Sequence, residues 1–179
     1  MALIGLRYIV IAPLKEKTTY GTGFVLGKAI KADLNVTTAN AELHADDVLA
    51  ESDNSFVSGT LSVGVDDIAE EHKNIILGHE ENDGETTANV DDAAIEVGLG
   101  FYGVKMKNGK RKYRAIWLRK GKFAEPSESF KTKEGSTTFT TPELTYTFGA
   151  DDDGNWKNEK TFDTPEEAVR YLNAKANIR

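Results

Sequence analysis

FYGVKMKNGKRKYRAIWLRKGKF, residues 101–123, decides the fold. Asn108-Gly109 is the dipeptide that a two-residue type I′ turn selects, because both central positions need positive φ. The residues on either side are strand formers, so the stretch predicts a β-hairpin. It also holds Lys105, Lys107, Lys110, Arg111, Lys112, Arg114, Arg119, Lys120 and Lys122, nine of the 22 basic residues, and no acid. A two-residue turn places Lys107 opposite Lys110 and Lys105 opposite Lys112 on one face, with Arg114 beyond. Like charges directly opposite one another destabilise a strand pair, so this face calls for an anion from outside the hairpin.

Outward from the hairpin, most of the chain reads as strand. Thr60, Ser62, Gly64 and Asp66 alternate with Leu61, Val63, Val65 and Ile68, the period of two of a strand with one dry face. A buried strand is predicted over 8–11, ending at Pro13, and GTGFVLGKAIKADLNVTTANAELHA reads as short strands broken by glycine. AIEVGLGFYGVKM and STTFTTPELTYTF add further strands. A short helix is predicted over 67–77, capped by Asp66 or Asp67, ended by Gly78, and turning Ile68, Ile75 and Ile76 to one side. Residues 80–92, EENDGETTANVDD, predict an exposed loop with a turn at Asp83-Gly84. After a turn at DDDGNW, Thr164, Pro165 and Glu167 form a capping-box signature for a C-terminal helix that packs Ala168, Val169 and Leu172. No fixed-period repeat and no linker divides the chain, so residues 1–179 are expected to form one domain.

The 39% hydrophobic and 28% charged fractions suit a folded globular chain. The absence of cysteine excludes disulfides, thiolate metal sites and thiol nucleophiles. Arg7 splits the apolar start MALIGLRYIVIA, which lacks the pattern of an export signal, and no run reaches the about 18 apolar residues of a membrane helix. A protein kept in solution is expected.

The motifs of catalysis do not assemble. His44, His72 and His79 lack the zinc-protease spacing and read as solvated surface histidines. The run from Asp151 to Asn155 misses a calcium loop, since its glycine falls fourth and the bidentate acid position is Phe162. Gly21, Gly23 and Gly27 have no phosphate-cradle spacing, and no nucleophile elbow occurs. The expectation is a protein without catalytic, cofactor or metal residues.

Charge is polarised along the chain. Between Glu42 and Glu96 lie sixteen of the 29 acids against one base, Lys73. Nucleic acid or the acidic segment of another copy could answer the basic hairpin. The net charge of −7 favours self-partnering over stable DNA binding. Complementary patches at separate places give head-to-tail contacts that close into rings or continue as filaments. The competing reading is a β-rich nucleic-acid-binding module that stacks bases on Tyr102, Tyr113 and Trp117.

LHADD at 43–47, SGTLSVGVDDI at 58–68, LGHE at 77–80, VGLGF at 97–101, KYRAIWLRKGKF at 112–123, FKTKEG at 130–135 and TFTTPELT at 138–145 together resemble the major tail proteins of siphophages, especially those of Gram-positive hosts. The resemblance runs in order over roughly residues 5–156. It implies a mainly β (α+β) fold: a β-sandwich or rolled β-barrel with one short flanking helix, a C-terminal helix and extended loops. It implies hexameric rings stacked into a hollow tail tube, assembled in the host cytoplasm and carried in the virion. The implied partners are other copies of the chain, a tape measure protein, a tail terminator, a distal tail protein and DNA in transit. A genome-free, prophage-derived particle is the nearer variant of the same reading. The resemblance places an inter-ring loop near LHADDVLAESD, which makes Asp46, Asp47, Glu51 and Asp53 contact candidates. Lys105, Lys107, Lys110, Arg111 and Lys112 are the candidates on the basic side.

Overall fold

The structure is a computed structural model that describes residues 3–45, 48–127 and 141–179. In chain order its elements are β1 (Leu3–Glu16), β2 (Thr19–Tyr20), β3 (Phe24–Gly27), β4 (Ala29–Thr38), β5 (Ala41–Ala45), β6 (Val48–Asp53), β7 (Phe56–Val65), α1 (Glu70–Leu77), β8 (Glu80–Asn82), β9 (Glu85–Thr87), β10 (Val97–Lys107), β11 (Lys110–Phe123), β12 (Glu143–Gly149), β13 (Lys157–Phe162) and α2 (Pro165–Lys175). The fold is mainly β with two helices.

Nine strands make one antiparallel sheet in the order β2-β1-β10-β11-β12-β7-β4, with β3 added to β1 and β13 to β11. The predicted hairpin is its spine. Asn108 and Gly109 take φ of 51° and 73°, and the register pairs Lys107 with Lys110, Lys105 with Lys112 and Gly103 with Arg114. The long strand β11 serves two neighbours in succession, β13 along Tyr113–Leu118 and β12 along Lys120–Phe123.

The two faces of this sheet carry two cores. On the inner face Ile9, Ile11, Leu61, Val63, Leu99, Ile116, Leu118, Leu144, Tyr146 and Phe148 form one cluster, joined by Ile76 and Leu77 of α1. All nine strands are joined by hydrogen bonds in one sheet, and residues of β1 meet those of the edge strand β4 in that cluster, so the sheet is rolled onto itself. A cleft of about 330 Å³ between β1 and β4, floored by Phe101 and Ile116, marks where the roll stays open. On the outer face, Val10, Ala12, Tyr102, Ala115 and Trp117 are covered by Ala168 and Leu172 of α2 and by Ala176. Gly98 and Gly100 leave the room this requires, since a Cβ on either would lie within 2.6 Å of the Trp117 ring.

A bulge in β1 keeps the faces in phase. Arg7 pairs with Tyr102 and Val10 with Gly100, so three steps on β1 match two on β10, and Tyr8 within the bulge has φ of 61°. The Tyr8 hydroxyl donates to Asn173 Oδ1 at 2.7 Å, tying β1 to α2.

Several expectations need correction. The first strand covers 3–16, not only 8–11, and β13, absent from the sequence reading, lies on β11. The first helix begins at Glu70. Its N-cap is Ala69, because Asp66 Oδ1 instead accepts the amides of Lys28 and Asp67 and holds the approach to the helix extended. Ile76 and Leu77 point inward while Ile75 is exposed. Gly78 ends the helix at φ of 78° as predicted. Residues 80–87, read as loop, form a small ribbon, β8–β9, turning at Asp83-Gly84; every residue in it is exposed. The capping box of α2 is present in both directions, from Thr164 to Glu167 and back.

Candidate assembly surface

Where β10 and β11 run through the sheet, their inner face is apolar, with Phe101 opposite Ile116. Toward the turn the same face becomes Gly103 and Arg114, then Lys105 and Lys112, then the register position of Lys107 and Lys110. Flanking strands fall away over this stretch. On one side β1 reaches Lys105, on the other β13 reaches Tyr113, and among the described residues no further strand flanks the two-stranded ribbon of 106–111.

The counter-charges for the sheet-bound part of the hairpin come from the same chain. Arg114 Nη2 donates to Glu159 Oε2 at 2.6 Å, and that bond holds the Glu159 carboxyl below its usual range. Lys112 pairs with Asp163. Lys120 lies 3.1 Å from Asp152 and 3.5 Å from Glu96, and the Asp152 bond raises the Lys120 pKa. Arg119 Nε sits 2.6 Å from Asp151 Oδ2, close in distance but not aligned as a hydrogen bond. The expectation of an unanswered basic face therefore holds only for its outer end. Among the described residues Lys105, Lys110 and Arg111 meet no carboxylate, and Lys112, singled out with them, is already paired. Sequence reasoning missed Glu159 within β13, Asp163 just after it and Asp151 and Asp152 in the turn before it, because KNEKTF is too polar to be recognised as a strand.

The aromatic candidates for base stacking are not on this surface. Trp117 is 1% exposed and Tyr102 5%, both under α2, and the indole N–H donates to Tyr20 at 3.2 Å. Tyr113 packs against the same cluster.

The acidic candidates divide. Asp46 and Asp47 lie outside the described residues. Glu51 and Asp53 belong to β6, opposite Leu43 and Ala41 of β5. β5 and β6 are hydrogen-bonded as a sheet of their own and prolong the β4–β7 pair, which runs to Thr38 opposite Phe56 with a further bond from Ala39 N–H to Ser55 O. Together 39–45 and 48–55 make a long arm.

His72 and His79 are not solvated surface groups. His79 is 10% exposed, its Nδ1 lies 2.8 Å from Asp92 Oδ2 and its Nε2 3.1 Å from Glu125 Oε2. The Asp92 bond raises its pKa against the opposing effect of burial. His72 stacks on Phe24 with ring centres 4.0 Å apart. His44 lies in β5. No group of three or more metal-ligating side chains occurs among the described residues, and none of their helices is long and apolar enough to cross a membrane. Asp151 Oδ1 accepts the amides of Asp153 and Asn155, which makes the acidic run a closed turn.

No protein-family model matches the chain, and no curated protein matches it either. What stands is the class, a mainly β fold whose open, rolled sheet sends out ribbons of opposite charge.

Proposed function

We propose that this protein is a structural subunit that assembles with copies of itself into stacked hexameric rings, the hollow tail tube of a long, non-contractile phage tail. The observation that carries the reading is the β5–β6 ribbon, a sheet of its own that prolongs the β4–β7 pair away from the core. A two-stranded ribbon is marginally stable by itself in water, so a docking surface on another copy suits it. The ordered resemblance over roughly 5–156 and the polarised charge support the same reading. Its chemistry is contact and not catalysis, its partners are the tube's own subunits with a tape measure, terminator and distal tail protein, and its place is the virion. The acidic net charge suits a conduit, since a lumen that does not attract phosphate lets DNA slide.

The test is negative-stain electron microscopy of the concentrated chain, with light scattering for mass. Hollow rings or tubes are the expected result. A particle that stays monomeric at every concentration and salt, including with an initiating tail complex present, overturns the proposal.

A further inference from the structure

The β8–β9 ribbon and the bare end of the β10–β11 hairpin lie at opposite ends of one axis. Glu80 follows His79, which is held to Glu125 at 3.1 Å, and Glu125 lies two residues past the end of β11. The ribbon thus starts at the open end of the hairpin. The turn at Asn108-Gly109 is at the other end, ten residue steps along β10, about 33 Å at strand rise. Asn74, buried at the end of α1, donates to Glu81 and Thr86 and fixes one face of the ribbon. Strand alternation then turns Glu80 and Glu85 outward, with Asp83 in the turn, and among the described residues none of the three has a cation. Lys105, Lys110 and Arg111 at the far end are likewise unanswered.

The geometry points to a specific contact, resting on the self-assembly reading: the basic end of one copy's β10–β11 hairpin docks on the acidic β8–β9 ribbon of the next copy. Separation along the axis prevents the two from meeting within one chain. The arm is the poorer partner for this contact. Phe123 pairs with Tyr146 and Tyr146 with Leu61, Gly121 with Phe148 and Phe148 with Gly59, so moving toward the hairpin turn moves along β7 toward Phe56 and the arm. Arm and basic end leave the sheet at the same end. Of the two acidic ribbons, β8–β9 faces the other way, and opposite charges at opposite ends of one axis give a head-to-tail stack.

The experiment compares assembly of four proteins by light scattering and microscopy: wild type, the basic end reversed (Lys105→Glu, Lys110→Glu, Arg111→Glu), the ribbon reversed (Glu80→Lys, Asp83→Lys, Glu85→Lys), and both reversed. Circular dichroism and melting confirm that each is folded. Each single reversal should reduce assembled mass tenfold or more, while the double reversal, and an equimolar mixture of the two single reversals, should restore it. If wild type forms tubes and either single reversal also does, or neither the double reversal nor the mixture recovers, the contact is wrong and the tube reading stands. If wild type forms no multimer with its initiating complex, both fall.

Discussion

At the scale of single residues, two carboxylates do work that the sequence disguised. Asp151 reads as one acid in a row of three, yet its side chain is 1% exposed, accepts two turn amides and sits against Arg119, itself only 19% exposed. Removing one partner of a buried ion pair leaves the other uncompensated, so Asp151→Ala is expected to cost about 3 kcal/mol in urea unfolding, against less than about 1 for Asp153→Ala on the exposed side of the same turn. His79 gives a pH signature. Its folded pKa is raised chiefly by Asp92, so its contribution is complete below about pH 6.5, the ordinary imidazole value, and is lost as pH rises through the folded value. Asp92 is held low by the Asn89 amide and by His79, so its contribution is present above the ordinary carboxylate value of about 4 and is lost on acidification. The clasp is therefore strongest at about pH 5–6.5. The melting-temperature gap between wild type and His79→Gln should narrow as pH is raised from 6.5 to 8.5; a gap that stays constant would contradict the assignment.

At the scale of elements, what was legible had local chemistry to write it. Asn108-Gly109 requires positive φ, Thr164 and Glu167 need each other's backbone amides, and Leu61, Val63 and Val65 alternate because one face is dry; all three elements formed where expected. What was illegible depended on contacts distant in sequence. β13 is an edge strand with half its residues exposed, so it has no apolar alternation and is held by β11, where its Glu159 pairs with Arg114. The start of α1 moved because Asp66 bonds Lys28, 38 residues away. The sandwich or barrel choice likewise turned on the meeting of distant strands in one core. Among the contact candidates, the pairing of the lysines was legible from the turn, but their intrachain partners were not. The C-terminal helix offers a direct check of the outer core. Leu172→Ala removes a fully buried side chain above the Trp117 layer and should cost about 3 kcal/mol by chemical denaturation. Thr164→Ala, which removes only the cap, should cost about 1 kcal/mol.

At the scale of the molecule, the arrangement of charge matters more than its sum. Among the described residues Lys112, Arg114, Arg119 and Lys120 already have intrachain carboxylates and the rings of Trp117 and Tyr102 are buried, so neither those four cations nor those two rings are free for the nucleic-acid reading. A gel-shift assay with duplex or single-stranded DNA at about 0.15 M salt should therefore show no retained complex; tight, steeply salt-dependent binding would favour the competing class. The bulge at Tyr8 carries a consequence for chain length. With one residue more than its partner needs, β1 turns Leu6 and Ile9 both inward and keeps Arg7 outside. Deleting Tyr8 would leave that alternation intact, losing the tie to Asn173 but nothing from the inner core. Deleting Ala115 from the unbroken run of β11 between Lys110 and Leu118 would instead turn one side of the strand over. A residue with an unusual backbone angle, inside a strand flanked on both sides, is thus one that the inner core can do without.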